Sequence, residues 1–283
     1  MRRVTDRLTV VLRGGGDLAT GVALRLHRAG FRITVLEIPQ PTVIRRAVAF
    51  ASAVYDGLAV VEGVTARLAR LEDDLEPIWR SGEAPVVVDP GASILARLRP
   101  DALVDAIMAK RNLDTRIDDA PIVVALGPGF TAGVDCHAVV ETNRGHHLGR
   151  VYYAGTAEAN TGVPGVVGGQ DALRVVRAPA DGMFQGLRQI GDRVSRGDSI
   201  GRVGDPSTAL RAGFAVTSQI DGVLRGILHD GLVVHAGMKV ADVDPRGVVE
   251  HCFTVSDKAW AVGGGVLEAI LHLRSAFTLR MGE

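Results

Sequence analysis

The residues with the types and spacing for chemistry begin at Arg13-Gly14-Gly15-Gly16-Asp17-Leu18-Ala19-Thr20-Gly21. Gly14, Gly16 and Ala19 fit G-x-G-x-x-G/A. The first glycine of that pattern permits a tight turn, the second lets backbone approach a pyrophosphate, and the small third residue lets a helix pack on a strand. Gly15 completes the turn, and Leu18 and Thr20 complete the first helical turn, whose N–H groups would face an anion. Asp17 would cap that helix, hold a metal, or bond a ligand group other than phosphate, which it repels. Glu37 lies 23 residues past Gly14, where an acidic residue would bond ribose hydroxyls. Arg45 and Arg46 are either a solvated face or the partners of a ribose or phosphate end. A second glycine turn carries Gly127 and Gly129. A polar stretch then brings His137, Glu141, Asn143, Arg144 and His146. The Arg144 guanidinium could grip a phosphate or a pterin carbonyl with two parallel hydrogen bonds, or simply pair with Glu141. His137 or His146 could serve as acid–base group in a hydride transfer. Cys136-His137 and His251-Cys252 have metal-ligand types, but neighbours on one strand point to opposite faces, so no metal site is expected.

These residues need a frame. Leu8–Leu12 reads as a buried parallel strand, and Leu18, Val22, Leu24, Leu26 and Ala29 recur at helical spacing up to Gly30. Further strands are expected at 33–36, 58–61, 85–88, 102–105, 121–126 and 138–140. Helices are expected from Thr42 to about Val54, Thr65 to about Arg80, Ser93 to Leu98 and Ser256 to about Leu273. Alternation of this kind implies a parallel sheet with ligands at its carboxyl edge. Asp89 and Asp105 end strands there and either touch a ligand or cap the next turn.

Residues 155–170 are rich in Gly, Ala and Thr and read as a linker or covering loop. A repeat follows. Asp181, Gly182, Gly186, Gly191, Val194 and Gly197 recur 40 residues later as Asp221, Gly222, Gly226, Gly231, Val234 and Gly237. The pattern resembles biotinyl/lipoyl barrel-sandwich hairpins, but Gly204–Thr208, where a carrier lysine would sit, has no lysine.

The fold expected is α/β: a Rossmann-like parallel-sheet domain over 1–170, a small β barrel-sandwich (biotinyl/lipoyl-like) domain over 171–250, and a C-terminal helix over 251–283 packing back on the first domain. The 283 residues are 47% hydrophobic, with 32 Lys+Arg against 32 Asp+Glu, so no electrostatics point to nucleic acid or a membrane surface. Two cysteines in such a chain fit a reducing cytoplasm. The short apolar run after Arg7 enters the glycine turn and is not expected to be a signal peptide, and no run approaches the length of a membrane span.

Four segments together carry a resemblance: Val11–Gly21, Leu36–Arg46, Glu141–His146 and Gly263–Ala269. The chain resembles the YqeB-type selenium-dependent molybdenum hydroxylase maturation proteins nearly end to end. The resemblance implies an accessory protein that binds a nucleotide or a molybdopterin-type cofactor at the glycine turn. Its partners would be a molybdenum hydroxylase apo-enzyme or other maturation factors, and a homo-oligomer is admitted. The other function class is an NAD(P)-dependent oxidoreductase acting on a small molecule.

Overall fold

A computed structural model describes residues 8–159, 173–204 and 213–280. The chain divides into two units: 1–41, 49–161 and 255–283 form one, and 42–48 with 162–254 form the other. The expected linker at 155–170 and the boundary at 170 fall largely outside the described residues, as does most of the hairpin 204–208.

The first unit is built on β1 (Thr9–Arg13), whose Val10, Val11 and Leu12 are wholly buried. Gly16 leads into α1 (Asp17–Arg28), and β2 (Arg32–Glu37) returns in parallel beside β1. A short α2 (Ala53–Asp56) precedes the hairpin of β3 (Leu58–Val61) and β4 (Val64–Ala69), turned by left-handed Glu62 and Gly63. There follow α3 (Glu76–Arg80), β5 (Ala84–Val88), α4 (Leu95–Leu98), β6 (Ala102–Asp105), β7 (Ile122–Leu126), β8 (Ala138–Val140) and β9 (Val151–Tyr152). The sheet has nine strands in the order β3-β4-β5-β2-β1-β6-β7-β8-β9. It runs parallel from β4 to β8 and antiparallel at both edges. Chain order reverses between β1 and β6, which makes their carboxyl ends the switch point of the sheet.

The second unit contains β10 (Val175–Arg177), β11 (Gly182–Gly186), β12 (Arg193–Val194), β13 (Ser199–Gly204), β14 (Phe214–Thr217), β15 (Gly222–Ile227), β16 (Val233–Val234), β17 (Lys239–Asp244) and α5 (Glu250–Phe253). The strands make two four-stranded antiparallel sheets, β10-β17-β15-β12 and β14-β13-β11-β16. Strand β12 of the first copy joins β15 and β17 of the second in one sheet, and β16 of the second joins β11 and β13 of the first in the other, so the copies are interleaved. The turns repeat the exchange: Asp181 accepts the Ala236 N–H, and Asp221 accepts the Arg196 N–H. The inward faces share one core that includes Phe184, Ile200, Val203, Leu224, Val240 and Val243.

The last helix, α6 (Asp257–Arg280), belongs to the first unit and packs on α1, β7, β8 and β9. Among the described residues no helix is long and apolar enough to cross a membrane.

Several expectations are corrected. The fold is not a Rossmann-like parallel sheet followed by a biotinyl/lipoyl-like barrel-sandwich. It is a mixed nine-stranded sheet and two separate four-stranded antiparallel sheets. Crossover helices are largely missing: the connection from β6 to β7 has none, and that from β5 to β6 has only the four residues of α4. The expected helix over 65–80 is instead strand β4 plus α3. Val64, Ala66 and Ala69 are buried against β5, and tertiary pairing outweighs local propensity. The expected helix over 42–54 breaks into two 3-10 turns and α2. Asp89 acts as a cap, accepting from the Ser93 hydroxyl and the Ile94 N–H.

Candidate functional site

The switch point gathers several of the sequence candidates. Gly14 is left-handed, and a Cβ on it would meet the backbone of Ala106 and Ile107 at 3.0–3.1 Å. A Cβ on Gly15 would meet Ala51 N and Val35 at 2.9 Å. The glycines therefore admit two neighbouring chain segments. The Glu37 carboxylate turns back on this turn, accepting from Gly15 N–H at 2.8 Å and from Ile38 N–H at 2.9 Å. Burial raises its pKa above the ordinary carboxylate value, opposed by those two N–H groups. Thr20 bridges inside the fold, its hydroxyl donating to Gly15 C=O and accepting from Phe50 N–H. Gly16 stands at the N-cap of α1 and, having no side chain, supplies no cap to the N–H groups of the first turn, which holds Asp17, Leu18 and Ala19.

A nucleotide-binding Rossmann turn, expected from the motif, is therefore corrected. In that arrangement the acidic residue after β2 faces a ribose, whereas here Glu37 holds the turn itself.

Beside the turn lies a network around the buried side chains of Arg13, Asp105 and Thr115. Arg13 donates to the Thr115 hydroxyl at 2.6 Å and pairs with Asp114 at 2.5 Å. The Thr115 hydroxyl donates to Asp105 at 2.6 Å. Burial raises the Asp105 pKa, opposed chiefly by the hydrogen bond from Thr115. Asn112 accepts from the Asp114 and Thr115 N–H groups and so folds this loop onto Arg13. The sequence held a signal for it: Asn112-x-Asp114-Thr115 is an Asx-turn pattern.

The second glycine turn is a packing device as well. Cβ atoms on Gly127 and Gly129 would lie 2.5 Å from Thr142 Oγ1 and from Arg111 Cα. His137 Nδ1 accepts the Val123 N–H at 3.0 Å at the start of β7. Burial lowers the His137 pKa below the usual imidazole value. The sign follows: the unfolded chain takes up this proton more readily than the fold does. The stability tied to His137 is thus present above pH ~6.5 and lost as pH falls through the lowered folded-state value. We expect a denaturant midpoint that declines on acidification below pH ~6.5, with the decline reduced in His137→Asn. Burial also pushes the neighbouring Cys136 thiol up to about 12, as for an inert core cysteine.

Glu141 is buried. Its Oε1 accepts from Thr142 and Asn143 N–H at 2.7 and 2.6 Å, and its Oε2 accepts from Glu158 N–H at 2.8 Å. Asn143 donates to the Glu158 carboxylate at 2.6 Å. Arg144 grips Asp257, the first residue of α6, at 2.8 and 3.0 Å, instead of pairing with Glu141. Asp257 is 73% exposed, so Arg144→Ala is expected to cost less than ~1 kcal/mol in a chemical melt. The His146 ring stands 5.0 Å from that of His147, edge to face.

In the second unit, Arg45 donates to the carbonyls of His251 and Thr254, both at 3.1 Å. Arg46 donates to Ile227 C=O at 2.8 Å. Both arginines fasten residues 42–48 within that unit.

No family model matches the chain. The solved structures that align with the chain include an aspartoacylase family protein from Mesorhizobium loti, 11% identical over 84% of this chain and 86% of that one, with a TM-score of 0.30. A succinylglutamate desuccinylase/aspartoacylase from Rhodobacter sphaeroides is 18% identical over 84% and 85%, with a TM-score of 0.29. Scores of this size do not establish a shared fold. The sequence match is of another order. The chain is 53% identical over 264 residues, 93% of its length, to the uncharacterized protein YqeB of Escherichia coli strain K12. It spans about half of that relative, 47% of its length. The segments around Gly14–Gly16, Glu37, Glu141 and Gly263–Gly265, which build the switch point and its supports, thus sit in a chain that belongs to the YqeB family.

Proposed function

We propose that this chain is an accessory protein of molybdenum hydroxylase maturation that receives a molybdopterin-type cofactor at the carboxyl edge of its nine-stranded sheet. The observation that carries the reading is α1, which starts at the switch point with no side-chain cap on its N-terminus. The Leu18 and Ala19 N–H groups at such a terminus suit an anionic group, and the phosphate of a pterin cofactor supplies one. Leu18, Ala19 and the backbone of Gly16 would hold it. A dinucleotide is less well served, because Glu37 is committed to Gly15 and Ile38. The NAD(P)-dependent alternative also loses His137, whose Nδ1 serves Val123. The partners proposed are the hydroxylase apo-enzyme or other maturation factors, in the cytoplasm.

Gly16→Asp tests the site. Aspartate is a good N-cap and places a carboxylate where the anion would bind. The unliganded variant is expected to melt at or slightly above the parent temperature, while its affinity for a molybdopterin-type cofactor falls at least ~10-fold by calorimetry. Unchanged affinity would remove the α1 terminus from the site.

A further inference from the structure

Arg225 of β15 is buried, its side chain only 8% exposed, yet no carboxylate is committed to it. Only its Nε meets acceptors: the His251 carbonyl at 3.4 Å and, more distantly, Asp244 at 3.7 Å. Among the described residues the two terminal NH2 groups of this guanidinium have no hydrogen-bond partner. A buried cation is ordinarily paired, because stripping an unpaired charge of water is costly.

Two carboxylates stand nearby on β17, and other cations hold both. Arg246 grips Asp244 at 2.9 and 2.5 Å. Arg174 grips Asp242 at 2.5 Å, with Lys239 at 3.7 Å. Arg45, itself buried, donates to the same His251 carbonyl as Arg225, so two guanidiniums converge on one oxygen. Five cationic side chains against two carboxylates leave a surplus of three positive charges, and Glu250 of α5 is exposed. Burial, and then the Arg45 charge, pull the Arg225 pKa below the ordinary guanidinium value. The His251 ring adds a second unmet group: its Nδ1 is buried with no partner among the described residues. All of these residues belong to the second unit.

We propose that Arg225 anchors an oxyanion site, between β15, residues 42–48 and α5, that takes the phosphate group of a small ligand. The terminal NH2 groups of a guanidinium offer parallel donors to two oxygens of one such group. A phosphate dianion offsets two of the surplus charges where a carboxylate offsets one. It also has an oxygen left for His251 Nδ1, which donates in the tautomer that carries its proton there. The start of α1 lies in the other unit, and this inference does not rest on the cofactor reading.

Calorimetric titration of the full chain with inorganic phosphate and, separately, with glycerol 3-phosphate tests it, at constant ionic strength in chloride. We expect saturable binding of phosphate with a Kd below about 1 mM. Arg225→Lys keeps the charge and loses the fork, and should weaken binding at least ~10-fold. Arg225→Met should abolish it. Should Arg225→Met fail to fold, Arg225→Lys decides alone. Gly16→Asp, which blocks the α1 terminus, should bind phosphate at this site as the parent does. Binding of the monoester as well as the ion would assign the site to the phosphate end of a larger ligand, and binding of the ion alone to free phosphate. Three outcomes would overturn the proposal: no saturable binding to the parent up to ~10 mM phosphate, parent-like affinity in Arg225→Lys, or binding that Gly16→Asp removes.

Discussion

Replacing Glu141 by alanine is expected to destabilise the first unit by about 3–5 kcal/mol, because it strips the acceptor from three N–H groups at once. Each buried donor left without a partner costs roughly 1–3 kcal/mol, and partial access of water to Asn143 and Glu158 keeps the sum below its maximum. Glu141→Gln should recover little. One carboxamide end presents N–H rather than an acceptor, so either the Thr142–Asn143 side or the Glu158 side meets donor against donor. Urea titration gives the loss, and hydrogen exchange localises it: the Glu158 amide should lose protection well before the β1 and β6 amides. A variant as stable as the parent would mean that the carboxylate does not hold the 141–158 segment.

The second large effect is expected at the glycines of α6. A Cβ on Gly265 would run into the Gly149 carbonyl and lie 2.8 Å from Val140. The obstacle is backbone, which cannot rotate away. Gly21 and Gly263 face each other in the same manner across α1 and α6, with Gly21 O 2.9 Å from a Cβ on Gly263. Gly265→Val should therefore push α6 off β8 and cost about 3 kcal/mol or more, lowering the melting temperature by ~6–12 °C. Gly264 is the internal control, since an added Cβ there meets nothing within 4 Å. Gly264→Ala is expected to stabilise the protein by roughly 0.5–1 kcal/mol, through helix propensity alone. If Gly264→Ala and Gly265→Val shift the melt equally, close packing is not the reason for the triple glycine.

How far the sequence could be read depends on the residue. The apolar runs of β1, β2, β5, β6 and β7 were legible because strands buried on both faces are continuous in Val, Leu and Ile. The glycine turn, α1 and α6 were legible from their punctuation. The mixed character of the sheet was not: Val64–Ala69 carries arginine and threonine and has no strong strand signature, so only its pairing with β5 makes it a strand. The repeat was visible as glycine and aspartate spacing, but its interleaving across two sheets is a property of pairing between distant segments. Within the site, Glu37, Glu141 and Arg144 were recognisable as special, and their partners were not. Gly15, Glu158 and Asp257 lie 22, 17 and 113 residues away from them, beyond any local pattern.

The central claim is that a cofactor with an anionic group settles at the start of α1. Hydrogen–deuterium exchange of the full chain, with and without a molybdopterin-type cofactor, tests it most directly. Slowed exchange is expected at the Gly16, Leu18 and Ala19 amides when the cofactor is present, with the Glu141–Glu158 segment unchanged. Protection that appears elsewhere while those three amides exchange as in the free protein would contradict it.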